Sequence, residues 1–187
     1  MTTLDSKPII DESSVPFFPT ALKIGLYGGL ILVIYNLIAN MTGLSIPSSI
    51  TNSVLASIVQ IALYVGIGIF VVKKHREDEL GGHISFGRAF LVSLIAMVVA
   101  GIISILFNIL YMTVIDPTFV ESMIDGMEEM FANLGMDTDV AEEQLESVRD
   151  SFSPMSQITT GLLGGSLAGA ILSLIIAAVM KKNPPTI

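Results

Sequence analysis

The 187-residue chain is 52% hydrophobic and only 14% charged, carries a formal charge of −8 and has no cysteine. Soluble domains average about 25% charged residues, and the lack of cysteine excludes disulfide scaffolds, cysteine-ligated metal or iron–sulfur sites and thiol catalysis. The charge is also divided: residues Met112–Gln157 hold eleven acids and one base, for −10, and the remainder sums to +2, which leaves no surface suited to nucleic acid.

Residues 1–20 are polar and contain Pro8, Pro16 and Pro19; they are expected to form a flexible tail. The apolar run after Lys23 is too long for a cleaved signal and reads as a retained first span. Charge is missing from Ile24 to Val72, from Ala89 to Ile115 and from Ser151 to Met180. A hydrocarbon core about 30 Å thick needs about 20 helical residues, so these stretches hold four spans, at about 24–41, 53–72, 86–112 and 158–180. Together they form a single membrane domain over 21–182, and 183–187 is a second short tail.

Pro47 interrupts helix between the first two spans. The second ends at Lys73-Lys74-His75-Arg76, and Ser85 is placed to cap the third. Four spans put Lys7, Lys23, Lys73, Lys74, Arg76, Arg88, Lys181 and Lys182 on one side. Loops on the cytoplasmic side retain Lys and Arg, so both termini and the Lys73–Arg88 loop are expected there. Lys73, Lys74, Arg76, Arg88, Lys181 and Lys182 are read as topology or headgroup anchors; a docking site for a cytoplasmic partner is the other reading of the basic run. His75, beside headgroups, is given an interfacial role.

The segment 116–153 is the one sizeable polar insertion. Asp116-Pro117 signals a helix start. Phe119, Val120, Met123, Ile124, Met127, Met130, Phe131 and Leu134 then recur at helical spacing, and Gly135 is placed to end the run. Asp137, Thr138 and Asp139 offer caps for a second helix, with Asp139 and Glu142 fitting a capping box, and Ser153-Pro154 is expected to end it. Phe119, Met123, Met127, Met130 and Phe131 form a candidate partner face; thioethers can ligate copper, but three of the methionines lie on the apolar stripe and read as adaptable packing or lipid contact. The acids lack the alternating ligands of a calcium loop, and no metal or other cofactor is expected.

In the fourth span Gly161, Gly165, Gly169, Ser173 and Ala177 repeat every four residues, with Gly164 beside them. Small residues let helices approach closely in lipid; packing within the chain, self-association, or a path for substrate each fit. Gly25 and Gly29 with Gly28 alongside, and Ala96, Ala100, Ser104 and Asn108, give smaller versions. No ionisable group lies deep in a span, unlike most proton-coupled transporters. Asn36, Asn40, Gln60, Tyr35, Tyr64 and Asn108 serve either as bonds between helices or as an uncharged binding site. No phosphate loop, paired-histidine zinc motif or nucleophile elbow is present, and no enzyme is expected.

The run Lys73–Arg76, then Gly81-Gly82-His83-Ile84-Ser85-Phe86-Gly87-Arg88-Ala89-Phe90, the Ile115-Asp116-Pro117 turn and the closing Leu174–Ala178 before Lys181-Lys182 resemble a family of bacterial membrane proteins catalogued as domain of unknown function 4199, over roughly Ala21 to Lys182. The resemblance implies a four-span protein of the bacterial inner membrane and no particular activity. The expectation is thus an all-α, four-span transmembrane helical bundle with a pair of amphipathic extracytoplasmic helices between spans three and four. Its expected role is a membrane-embedded binding or assembly component, with the bilayer, a membrane or extracytoplasmic protein, or a second copy as partner; the alternative is a small-solute transporter or channel.

Overall fold

A computed structural model describes residues 10–183. Lys7 and the outer parts of the two expected tails, 1–9 and 184–187, lie outside them. The described residues form six α-helices and no strand: α1 (Phe18–Met41), α2 (Ile50–Asp78), α3 (Phe86–Leu110), α4 (Phe119–Asn133), α5 (Thr138–Ser151) and α6 (Pro154–Met180). The helices α1, α2, α6 and α3 with its extension to Ile115 are long and apolar enough to cross a membrane.

Local chemistry sets the boundaries. Pro19 sits in the first turn of α1, where a fixed φ favours helix and the missing N–H costs nothing, so α1 begins six residues before the apolar run at Ile24. Gly43, at φ 73°, lets the chain turn away after Met41. The Ser49 hydroxyl accepts from the Asn52 N–H at 3.2 Å and starts α2. That helix outlasts its apolar run, which stops at Val72, and carries Lys73–Asp78 as a polar overhang. Gly81 and Gly82, at φ 66° and 94°, reverse the chain. Ser85 caps α3 as expected, accepting from the Arg88 N–H at 3.3 Å.

One turn of π-helix, Tyr111–Ile115, ends the third span. Asp116 accepts from Thr118, and Gly135, at φ 66°, closes α4. Asp137 takes the cap of α5, accepting from the Asp139 N–H at 3.1 Å. Ser153-Pro154 opens α6 instead of merely ending α5: the serine caps it and the proline occupies its first turn.

The third span is the centre of the packing, with α1, α2 and α6 all against it. Gly25 and Gly29 bring α1 onto Ala96, Val99 and Ile103 of α3, and Gly28 meets Ile67 of α2. In α2, Gly68 makes room for Met97 and Ile176. On α6, Gly169, Ser173 and Ala177 are buried, and the Ser173 hydroxyl lies 3.5 Å from the Met97 sulfur. Leu32, Val71, Val72, Ala89, Val92, Ala96 and Ala100 are fully buried between the helices. Large apolar side chains face outward along all four long helices, among them Ile34, Ile58, Leu106, Leu163 and Ile175. Water penalises such a surface, and hydrocarbon suits it, because each helix satisfies its backbone internally. This is a multi-pass membrane protein.

The start of α1, the end of α2, the start of α3 and the end of α6 meet at one end. There Arg76 donates to the Met180 carbonyl at 3.1 Å, and Ile84 and Lys182 exchange two backbone hydrogen bonds of 2.9 Å. Lys73, Lys74, Arg76, Arg88, Lys181 and Lys182 all lie at this basic end. The opposite, acidic end is covered by α4 and α5.

Candidate functional site

At the acidic end α4 turns its apolar side inward. Phe119 is buried edge-on against Tyr111, with ring centroids 5.2 Å apart, and Gly126 fits against Ile46 in the turn between α1 and α2. The two helices of the hairpin are tied by Arg149, which donates to Glu121 at 2.6 and 3.2 Å. Those hydrogen bonds and the adjacent charge hold the Glu121 carboxyl below its usual range. Both side chains are about half exposed, so solvent and salt screen the pair and its contribution is small.

Beneath this roof lies a pocket of about 280 Å³ lined by Asn36, Asn40, Ser45, Asn108 and Gln157, with Met112, Phe119 and Phe152 supplying apolar wall. Asn36 Nδ2 donates to Ser104 Oγ at 2.8 Å, and Asn108 Nδ2 to the Ser104 carbonyl at 3.1 Å. The Ser45 hydroxyl donates to Asn40 Oδ1 at 2.7 Å, and Gln157 Nε2 donates to the Phe152 carbonyl at 3.0 Å. Asn40 Nδ2 is buried with no protein partner. A buried donor without an acceptor costs about 1–3 kcal/mol, so that atom calls for an acceptor from a guest molecule or water. Leu32, one helical turn below Asn36 on α1, and Ala100, two turns below Asn108 on α3, are fully buried.

A second polar assembly occupies the basic end. His75 is fully buried. Its Nδ1 lies 3.0 Å from Glu79 Oε2, and Arg88 Nε donates to its Nε2 at 3.1 Å. Arg88 also donates to the Val15 carbonyl, and its guanidinium stands 4.6 Å from the centre of the Phe17 ring. The Thr20 hydroxyl donates to Glu79, and the Glu12 carboxylate accepts from the Ser85 N–H and hydroxyl.

Residues 23–182 match the model of the family described as Protein of unknown function (DUF4199). The chain belongs to that family. Neither the curated proteins nor the solved structures contain a match. The matched stretch nearly coincides with the expected Ala21–Lys182. Within this family member, the Gly81–Phe90 stretch that carries the resemblance folds into the turn and cap receiving Glu12, Arg88 and Lys182.

The other expected site residues are distributed as follows. In α6, a Cβ on Gly161 would stand 2.7 Å from Ile105, one on Gly169 would make ordinary contact with Leu94 and Met97, and Gly165 has open space. The expected partner face of α4 points inward: Phe119 is buried, and Met123, Met127, Met130 and Phe131 are half-buried against the rest of the chain. Hydrophobic residues seeking cover found it within the molecule.

Lys73, Lys74, Lys181 and Lys182 are exposed, and Arg76 and Arg88 are half-buried with hydrogen bonds to protein. His75 is interior, which corrects its interfacial assignment, because two oppositely charged neighbours satisfy both ring nitrogens. Residues 11–20, expected as free tail, are part of the folded body. Asn36, Asn40 and Asn108 come together, whereas Gln60 does not join them. No group of three or more acidic or histidine side chains is placed to hold a metal among the described residues.

Proposed function

We propose that the protein is a membrane-embedded binding component of the bacterial cytoplasmic membrane, in which the α4–α5 hairpin lies outside and roofs a pocket for an uncharged polar group. The observation that carries this is the unpartnered Asn40 amide in a pocket whose lining contains no ionisable side chain. Ligand sites combine apolar walls with a few convergent polar groups, and nothing in this lining would neutralise a charged guest. The fully buried Leu32 and Ala100 below the pocket support binding over conduction by a transporter or channel. The exposed Leu134, Met136 and Val140 at the tip of the hairpin are the apolar groups that remain to meet headgroups or an extracytoplasmic protein, and the open flank at Gly164 and Gly165 is the place for a second copy.

Native mass spectrometry of protein taken from its own membrane tests the pocket. The wild type should carry a small-molecule adduct that Asn40→Leu lacks. No adduct on either, or the same adduct on both, overturns the reading.

Orientation follows from the basic residues at one end. Single cysteines at Ser48 and Glu143 should react with an impermeant reagent on intact cells, and one at Glu79 should not. Labelling at 79 with protection at 143 would reverse the assignment.

A further inference from the structure

The contacts at the basic end form a closed circuit. Arg88 of α3 holds the segment Asp11–Phe17 through the Val15 carbonyl and the Phe17 ring. It also donates to His75 of α2, His75 meets Glu79, and Glu79 accepts from Thr20 at the start of α1. Glu12 fastens the same segment to the cap of α3. A guanidinium has donors and no acceptor, so the Nε2 facing it must carry a lone pair. The ring is therefore neutral, with its proton on Nδ1 donating to Glu79; a hydrogen bond at one nitrogen sets the tautomer at the other.

We propose that Asp11–Phe17 is a proton-gated strap, held across the turn between α2 and α3 while His75 is neutral and released when that ring takes a proton. Protonation sets an N–H and a positive charge against the Arg88 N–H. Burial bears on the ring most and holds its pKa below the usual imidazole value; of the charged groups, Glu79 from its own helix and Glu12 from the strap favour the imidazolium, and Arg88 from α3 opposes it. The imidazolium keeps Glu79, Arg88 gives way, and the strap loses the group that holds Val15 and Phe17. Val15 is half-buried against the core while Ser14 beside it is exposed, so the two positions report release differently.

The test uses the full chain in detergent micelles, with a single cysteine at Val15 or at Ser14 and a maleimide as probe. The ratio of labelling at 15 to that at 14 cancels the intrinsic pH dependence of the thiol. It should rise at least about fivefold from pH 8 to pH 5, with the change in the lower part of the interval where an imidazole gains its proton because burial holds this ring below its usual value, and stay flat in His75→Gln. A flat ratio in the wild type overturns the strap. A rise that persists in His75→Gln also overturns it, since the gate would then be Glu12 or Asp11. Should neither His75→Gln nor His75→Asn fold, Glu79→Gln serves instead, and a ratio curve superposed on that of the wild type overturns the proposal.

Discussion

Gly25→Ala should destabilise the protein by about 1–3 kcal/mol, the usual penalty of forcing extra volume into a packed interior, and Gly29→Leu by more. A Cβ at position 25 would stand 2.8 Å from the Ala96 carbonyl oxygen and from Val99 Cβ; one at position 29 would stand 2.5 Å from Ile103. The carbonyl belongs to the backbone of α3 and has no rotamer to move into, so the two helices must separate. In lipid that separation removes dispersion contact without any compensating gain from water. Gly164→Ala and Gly165→Ala are the controls. Nothing lies within 4 Å of either site, and alanine is the better helix former by about 0.8–1.0 kcal/mol, so both should unfold at or above the wild-type temperature. Thermal unfolding in a mild detergent measures all four. A loss at 164 or 165 equal to that at 25 would mean that the helices pack differently from the arrangement described.

Arg88→Ala should cost about 2–3 kcal/mol, because it removes hydrogen bonds from a charged donor to His75 and Val15 together with the stacking on Phe17. Arg88→Lys should recover little of this. An ammonium retains the charge, but it cannot present one N–H to His75 Nε2 and another to the Val15 carbonyl from a single rigid plane. The same unfolding assay reads both, and full rescue by lysine would show that charge alone matters at this position. Loss of Arg88 should also raise labelling at Val15 at every pH, separating its hold on the strap from general stability.

The contrast between Gly25 and Gly165 shows what a sequence can reveal about this fold. Uncharged stretches of sufficient length locate the four long helices, with ends up to six residues off in α1 and α2, and Ser85 and Gly135 mark ends where they occur. Stripes of small residues are visible in the sequence of both α1 and α6, the longer one in α6. Yet spacing cannot state which neighbour a stripe meets or how closely. The α1 stripe is filled along its length by α3; the α6 stripe is filled at Gly161 and from Gly169 onward and is open between them.

The pocket was legible as a list of polar residues and not as a place. Asn36, Asn40 and Asn108 were candidates, but Ser45 and Gln157 join them only through the turn after α1 and the start of α6. His75 was misread because its sequence neighbours Lys73, Lys74 and Arg76 are basic. Its spatial partners Arg88 and Glu79 lie beyond the turn or one helical turn along, and the strap that covers them came from a stretch whose composition looked like tail. The pair Glu12 and Ser85, far apart in the chain, had no periodicity to expose it.

The position of α3 bears on how the molecule is made. Its partner α6 emerges from the ribosome only after the whole α4–α5 hairpin, so a newly inserted α3 stands with one flank bare to the lipid. That flank includes Leu94, Met97 and Gly101, apolar groups that hydrocarbon tolerates. The two hydrogen bonds between Ile84 and Lys182 then act as a late clasp, forming only when α6 has reached its full depth.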